Sequence, residues 1–307
     1  MILNASGCLD ALTAPEVVAG LDAFVTKTVT PLPRDGNPPV RIAETDVGML
    51  NTIGLANPGI EAFVSDHLPL LAELPVPLWV SVGGFAAQEY ARSCALLDDR
   101  AEVSVIELNV SCPNVAAPYE SAWEIVSAAR EATSKPLYAK LSPAVPDIAE
   151  VARAAAAAGA DGLSLVNTIR GLALDERTLA PRLSTGAGGL SGPALRPIAL
   201  AAVYACAGAV ELPIVGMGGV ACGRDALELL AVGASAIGLG TVLFTDPGAP
   251  ARIRDELAAE ARARGVDNPA KLCGIALGER GLAGEKPVEN TVSAQTGNVA
   301  ISTENRS

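Results

Sequence analysis

The sequence predicts an α/β protein of the (β/α)8 class, a TIM barrel, in a single domain with long active-site loops. Short apolar, β-rich runs alternate with Ala-rich helical patterns almost throughout the chain, which indicates βαβ units around a parallel sheet. Eight such runs in 307 residues favour a closed barrel over an open sheet. We place the barrel in residues 1–280 and assign residues 281–307 to a polar tail, which we expect to be disordered because it lacks a helical or strand period.

The individual elements follow from local periodicity and from the Gly, Pro and Asn residues that separate them. Strands are predicted at 2–5, 23–28, 78–82, 103–108, 137–141, 162–166, 214–216 and 236–239. Helices are predicted at 86–97, 119–133, 147–158, 195–209, 224–232 and 250–264. Two connections, 31–70 and 169–193, are too long for simple turns, and long loops in α/β domains usually bind ligands or cover a site.

Composition excludes several classes of function. The net charge is −12, which disfavours binding to the phosphate backbone of nucleic acids. The six cysteines are scattered without a CxxC pair, so we expect no metal or iron–sulfur site in this chain. The first residues lack the pattern of a secretory signal, and no apolar run reaches the roughly 20 residues of a membrane span. We therefore expect a soluble, cytoplasmic protein.

The end of the fourth predicted strand carries the most informative polar residues. The apolar run from Val103 to Leu108 ends in Asn109, and Cys112 and Asn114 follow within five residues. Polar groups at the carboxyl end of a barrel strand are typical of an active site. The alternative is an ordinary strand-end turn, in which Asn is common and Cys is a small apolar residue.

Glycine-rich turns follow the last two predicted strands. Gly218 and Gly219 precede one helix, and Gly240 and Thr241 follow the final strand. Barrels often bind phosphate at these strand ends, because glycine lets backbone N–H groups close on an anion. Gly192, in the second long loop, could close a third side of the same phosphate site. Tight turns also need glycine, so the pattern alone leaves a structural role open.

Two lysines lie inside otherwise apolar strands. Lys27 and Lys140 would be costly to bury without an anion or an acceptor, so both are candidates for ligand binding at the same mouth as Asn167 and Thr168. The alternative is a structural ion pair with Glu44 or Glu107. The single histidine, His67, is expected to face solvent, which leaves general base chemistry to a carboxylate or a cysteine.

Read together, these motifs resemble the dihydroorotate dehydrogenases, most closely the soluble class 1, subtype B, catalytic subunit. The resemblance covers approximately residues 3–265 in order. It is carried by Ala5-Ser6-Gly7-Cys8, Thr26-Lys27-Thr28, Gly36-Asn37-Pro38, 48–59, 108–114, 137–143, 160–168 and the glycine turns.

The resemblance implies an FMN-dependent oxidation of dihydroorotate to orotate in pyrimidine biosynthesis, with hydride transfer to flavin N5. By position, Cys112 would be the base that removes the C5 proton. The substrate would be held by Lys27, Asn51, Asn109, Asn114, Asn167 and Thr168. FMN would be held by Ala5, Ser6, Gly7, Lys27, Lys140, Gly192, Gly218, Gly219, Gly240 and Thr241. Of these, Lys140 would lie beside the flavin pyrimidine edge.

The resemblance also implies partners. Subtype B enzymes pass electrons to NAD through a second subunit with FAD and a [2Fe–2S] cluster, so a homodimer or a heterotetramer with that subunit is expected. This chain lacks the GxGxxG fingerprint of a dinucleotide site. Subtype A, which uses fumarate, is less favoured.

Two other functions stay open at this point. One is a related FMN barrel that acts on another dihydropyrimidine. The other is a barrel that binds flavin or phosphate with impaired turnover, because the loop after Asn114 is shorter here than in the family.

Overall fold

Eight parallel strands form the centre of the molecule in the computed structural model, which describes residues 1–110 and 118–280. Their order in the sheet is Ile2–Asn4, Ala236–Leu239, Ile214–Met217, Gly162–Leu165, Leu137–Leu141, Val103–Asn109, Leu78–Val82 and Phe24–Val25. A parallel bridge between Leu3 and Ala23 joins the first of these strands to the last. The predicted (β/α)8 barrel is therefore confirmed. In chain order the strands are β1 Ile2–Asn4, β2 Phe24–Val25, β3 Ile42–Thr45, β4 Gly48–Asn51, β5 Leu78–Val82, β6 Val103–Asn109, β7 Leu137–Leu141, β8 Gly162–Leu165, β9 Ile169–Gly171, β10 Gly188–Ser191, β11 Ile214–Met217 and β12 Ala236–Leu239.

Helices surround the barrel and follow the predicted positions closely. The long helices are Ala87–Asp98, Pro118–Ala132, Ile148–Ala157, Arg196–Ala207, Gly223–Ala231 and Ala249–Arg262. Shorter helical segments are Pro15–Val18, Ile60–Ala62, Phe63–His67, Leu68–Leu71, Pro193–Leu195, Thr241–Phe244, Pro269–Leu272 and Ile275–Arg280. Within residues 1–110 and 118–280, no helix is long and apolar enough to cross a membrane. The tail predicted at 281–307 lies outside the described residues.

Alternation along the strands divides the core into two layers. One set of side chains packs against the helices, and the other fills the barrel interior, where Leu3, Val25, Trp79, Val105 and Met217 belong to one cluster. Successive strand residues point to opposite faces. Residues two and four positions after Val105 therefore also face the interior, which aims the polar ends of the strands at the mouth.

The two long connections contain structure that the sequence patterns did not predict. β3, β4, β10 and β9 form a separate antiparallel sheet in that order, in which Leu50 pairs with Ala43 on one side and with Leu190 on the other. These strands have three or four residues each, and glycine recurs in three of them, so they lack the apolar alternation that identifies a strand. The pairing of β4 with β10 is long-range, and it brings the second loop against the first.

A buried asparagine joins the ends of the barrel. The amide of Asn4 donates to the carbonyl of Val25 at 2.8 Å and its oxygen accepts from the N–H of Val25 at 2.8 Å. Asn4 is fully buried. Its side chain therefore supplies hydrogen bonds between the first and last strands of the sheet, β1 and β2, where backbone pairing is limited to the bridge between Leu3 and Ala23.

We predict that Asn4→Ala strongly destabilises the protein. The substitution leaves a buried N–H and a buried C=O of Val25 without their partner, and each such group costs about 1–3 kcal/mol. The free energy of unfolding, measured by urea denaturation, should fall by about 2–6 kcal/mol. The matched control is Asn268→Ala, which removes an exposed helix cap on Ala270 N and should cost only about 1 kcal/mol. Equal losses in the two variants would contradict the closing role of Asn4.

Candidate active site

A cavity of about 1490 Å³ opens at the carboxyl ends of the barrel strands. Its lining comes from segments far apart in sequence, including the turn after β1, the ends of β6, β7 and β8, and the small antiparallel sheet. All the sequence-predicted site residues that lie in the described part of the chain line this cavity: Ala5, Ser6, Gly7, Lys27, Asn51, Asn109, Lys140, Asn167, Thr168, Gly192, Gly218, Gly219, Gly240 and Thr241. Cys112 and Asn114 lie outside the described residues.

The two lysines enter the cavity from the barrel interior. Lys140 is 5% exposed, and its Nζ donates to Ser6 Oγ at 3.1 Å. Its ammonium is also 3.8 Å from a carboxylate oxygen of Glu107. The ion pair considered for Lys140 is thus present, whereas Lys27 forms no ion pair within 4.0 Å among the described residues. Burial, together with the positive charge of Lys140, lowers the pKa of Lys27.

Amide side chains form a second group at the same mouth, where Asn109 on β6 is in register with Lys140 on β7. Asn167 donates to Asn109 Oδ1 at 3.1 Å, and the N–H of Thr168 donates to Asn167 Oδ1 at 2.8 Å. Asn51 reaches across from β4 to the carbonyl of Gly189 at 3.3 Å. Carboxamides both donate and accept, so this group can recognise a planar ligand with alternating carbonyl and N–H groups.

Another part of the cavity lining is built from glycine turns. Gly219 has φ of 74°, and a Cβ there would lie 2.9 Å from the carbonyl oxygen of Gly192. A side chain would therefore separate the two turns. Asp225 fixes the following residues by accepting from the N–H groups of Ala221 at 2.9 Å and Cys222 at 3.2 Å. The chain can approach an anion closely at these turns.

Thr241 and Gly7 complete the lining in the turns that follow two neighbouring strands, β12 and β1. Thr241 donates its hydroxyl to Ser191 Oγ at 2.8 Å, which ties the turn after β12 to the small sheet. Gly7 has φ of 76°, and a Cβ there would lie 2.8 Å from Lys27 Cδ. Glycine at this position therefore gives the lysine side chain its path into the cavity.

Cys94 and Cys206 are poor candidates for a base. Burial raises the pKa of Cys94 and of Cys206 to about 12, so both stay protonated near neutral pH. Burial also raises the pKa of Cys8, although Lys140 and Lys27 oppose that effect. Cys8 lines the cavity, and sequence reasoning used it only as part of a motif.

Sequence reasoning missed several residues at the mouth. Arg34 places its guanidinium 4.9 Å from the centre of the Phe85 ring, and both residues line the cavity together with Arg170. Long loops carry Arg34 and Arg170, so no strand pattern marks them. Glu107 was considered only as an ion-pair partner, although a carboxylate within an apolar strand is itself a signal because burial is costly.

His67 differs from the expectation of a solvent-facing residue. It is half-buried, and its ring lies edge-on to Phe63 with 6.2 Å between the centroids. It lines a separate, smaller pocket of about 180 Å³. It does not line the large cavity, so the expectation that it takes no part in catalysis is unaffected.

The sequence matches one known family along most of its length. The dihydroorotate dehydrogenase family profile matches residues 1–260. The chain is 46% identical to a protein of Desulforudis audaxviator named as the catalytic subunit of dihydroorotate dehydrogenase B (NAD(+)), over 84% of this chain and 87% of that protein. It is 44% identical to a protein of Solibacter usitatus named as a putative dihydroorotate dehydrogenase A (fumarate), over 89% of this chain and 93% of that protein.

Solved structures agree on the fold. A dihydroorotate dehydrogenase of Eimeria tenella, crystallised with ferulenol, superposes with a TM-score of 0.74 at 22% identity and covers 90% of this chain and 85% of its own. The family profile spans most of the chain, and the relatives exceed 40% identity over most of their length. The chain therefore belongs to the dihydroorotate dehydrogenase family.

Proposed function

We propose that this chain oxidises dihydroorotate to orotate with FMN as its bound cofactor. The observation that carries the proposal is that two chemically different groups of residues line one cavity. The first group consists of the glycine turns, and the second consists of two lysines with three amides, on Asn51, Asn109 and Asn167. A phosphate suits the first group, and a small planar anion suits the second.

The residues present fit a flavin nucleotide. The cavity of about 1490 Å³ exceeds the volume of about 300–1,000 Å³ that is usual for one small ligand, so it has room for a nucleotide and a substrate together. Gly192, Gly218, Gly219, Gly240 and Thr241 would hold the phosphate. Ala5, Ser6, Gly7 and Lys140 would lie along the ring. When bound, FMN would supply the hydride acceptor, which no side chain can provide.

The chain's own residues would bind and orient the substrate. Lys27 would meet the substrate carboxylate, because it is a half-buried cation in the cavity without a carboxylate partner among the described residues. Burial lowers the pKa of Lys27. An anion bound beside it would favour the protonated, charged form of this lysine. Asn51, Asn109, Asn114, Asn167 and Thr168 would hold the carbonyl groups and ring nitrogens.

Cys112 would act as the general base. It would take the proton from C5 of dihydroorotate while the hydride leaves C6, so that a C–C double bond forms and the thiolate becomes a thiol. The proposal is supported by the position of Cys112 three residues after Asn109, whose side chain lines the cavity. Burial keeps the thiols of Cys94 and Cys206 protonated, since it raises the pKa of each to about 12.

The deciding experiment is anaerobic reduction of the purified protein. We expect a yellow protein whose flavin absorbance bleaches with dihydroorotate and does not bleach with dihydrouracil, which lacks the carboxylate. Bleaching with dihydrouracil instead would indicate a related barrel that acts on another dihydropyrimidine. A flavin that bleaches only with dithionite would indicate a barrel that binds flavin without turnover and would refute the proposal.

The role of Cys112 can be tested by Cys112→Ala. We expect the variant to keep its flavin and to lose about 10²–10⁴ in the rate of reduction by dihydroorotate, because it loses the general base. Stopped-flow absorbance of the flavin measures this rate. Cys273→Ala is the matched control, since Cys273 does not line the cavity, and it should reduce at the unaltered rate. A Cys112→Ala variant that is also unaltered would assign the base to another residue.

The terminal acceptor separates two versions of the function. We propose that electrons reach NAD through a partner subunit with FAD and a [2Fe–2S] cluster, because several relatives carry the name of a B (NAD(+)) catalytic subunit. The name of the Solibacter relative favours fumarate as the second candidate. The purified chain should therefore turn over with an artificial dye and not with NAD or fumarate alone. Turnover with fumarate would assign the subtype A reaction.

A further inference from the structure

Glu107 is a buried carboxylate that the proposed reaction does not use. It is fully buried on β6, and neither of its oxygens has a hydrogen-bond partner among the described residues. Burying a carboxylate without compensation is costly, and an unsatisfied buried group calls for an explanation. A neutral or apolar residue at this position would cost less free energy to bury. The presence of a carboxylate therefore indicates that the carboxylate has a role.

The strand geometry places Glu107 directly beneath the cavity. Val105, Glu107 and Asn109 are spaced by two along β6, so all three face the barrel interior. Val105 belongs to the interior apolar cluster, and Asn109 lines the cavity. Glu107 therefore lies between the apolar core and the floor of the site.

Titratable side chains from neighbouring elements surround this carboxylate. Lys140 on β7 is nearest, with 3.8 Å between Nζ and Oε1. Tyr138 on β7 is in register with Glu107. Cys8 follows β1, and the charge of Glu107 raises the pKa of its thiol, whereas the charges of Lys140 and Lys27 lower it. Of the two lysines, Lys140 alone has a carboxylate within 4.0 Å in the described part of the chain.

We propose that Glu107 is a positioning residue whose carboxylate is the counter-ion of Lys140 and holds its ammonium at the floor of the cavity. The two lysines are close enough for the charge of Lys140 to lower the pKa of Lys27, so without a counter-ion the buried Lys140 and the half-buried Lys27 would repel each other. The carboxylate offsets the charge of Lys140 at 3.8 Å. Lys27 has no carboxylate within 4.0 Å among the described residues and can meet an anionic ligand.

The significance of this pair for catalysis rests on the proposed function, in which Lys140 lies beside the electron-accepting ring. An ammonium that is held in place by its counter-ion would keep that environment constant. The ion pair itself requires neither flavin nor substrate. Its test can therefore fail while the proposed function holds, and the reverse is also possible.

The test measures the protonation of Lys140 in the full-length protein, with and without bound flavin. The chain has five lysines, so NMR with lysine labelled at the ε carbon gives few signals, and Lys140→Met assigns one of them. In Glu107→Gln we expect the pKa of Lys140 to fall by at least about one unit, which lowers its charged-to-neutral ratio at fixed pH about tenfold. An unchanged pKa in the folded variant would overturn the proposal.

Ser164→Ala is the matched control. Ser164 is in register with Lys140 on the neighbouring strand, and its hydroxyl is buried without a hydrogen-bond partner among the described residues. It resembles Glu107 in these respects but carries no charge. We therefore expect the pKa of Lys140 to be unaltered in this variant, and a shift as large as that of Glu107→Gln would show that packing, and not charge, controls the lysine.

A double variant keeps the proposal testable if Glu107→Gln does not fold. Glu107→Gln with Lys140→Gln removes both charges and leaves two side chains that can hydrogen-bond to each other. If the carboxylate acts through Lys140, the double variant should be more stable than Glu107→Gln alone, because it contains no uncompensated ammonium at position 140. Failure of the double variant to recover stability would show that Glu107 acts through some other group.

Discussion

The hydrogen bonds between Asn4 and Val25 are the contact on which the rest of this structure depends. A parallel sheet becomes a barrel only if its first and last strands are joined, and here both are short, with three residues in β1 and two in β2. The Asn4 side chain spans the gap through both backbone groups of Val25. Ala5 to Gly7 follow β1 and Lys27 follows β2, so barrel closure also places these parts of the site side by side.

The cavity is lined by positively charged residues, although the molecule as a whole has a negative net charge. The chain carries a net charge of −12, which repels an anion at long range, although salt screens this repulsion beyond about 10 Å. At the site, Lys27, Lys140, Arg34 and Arg170 line one cavity, and of these four cations in the described part of the chain only Lys140 is balanced by a buried carboxylate. Unbalanced positive charge thus lines the place where an anionic ligand would bind.

Much of this arrangement could be read from the sequence, because its signals are local. Strand positions at 78–82, 137–141 and 236–239 agree with the structure, since apolar runs between turn residues identify buried strands. The lysines were found because charge within such a run is unusual. The small sheet of β3, β4, β9 and β10 could not be found in this way, because its central pair, β4 with β10, joins residues more than 130 positions apart. The sequence left Glu44 and Glu107 as alternative ion-pair partners for the lysines. The pairing of β6 with β7 brings Glu107 to Lys140.

The small antiparallel sheet connects two parts of the site. Asn51 on β4 contacts Gly189 on β10, and Ser191 on β10 accepts from Thr241 in the turn after β12. The same strand therefore supports an amide that lines the cavity and the turn that contains Gly240. Because β10 pairs with a strand on each edge, a shift of β10 would disturb both neighbouring strands. Under the proposed function, this sheet would help to hold a hydride donor and its acceptor in one orientation.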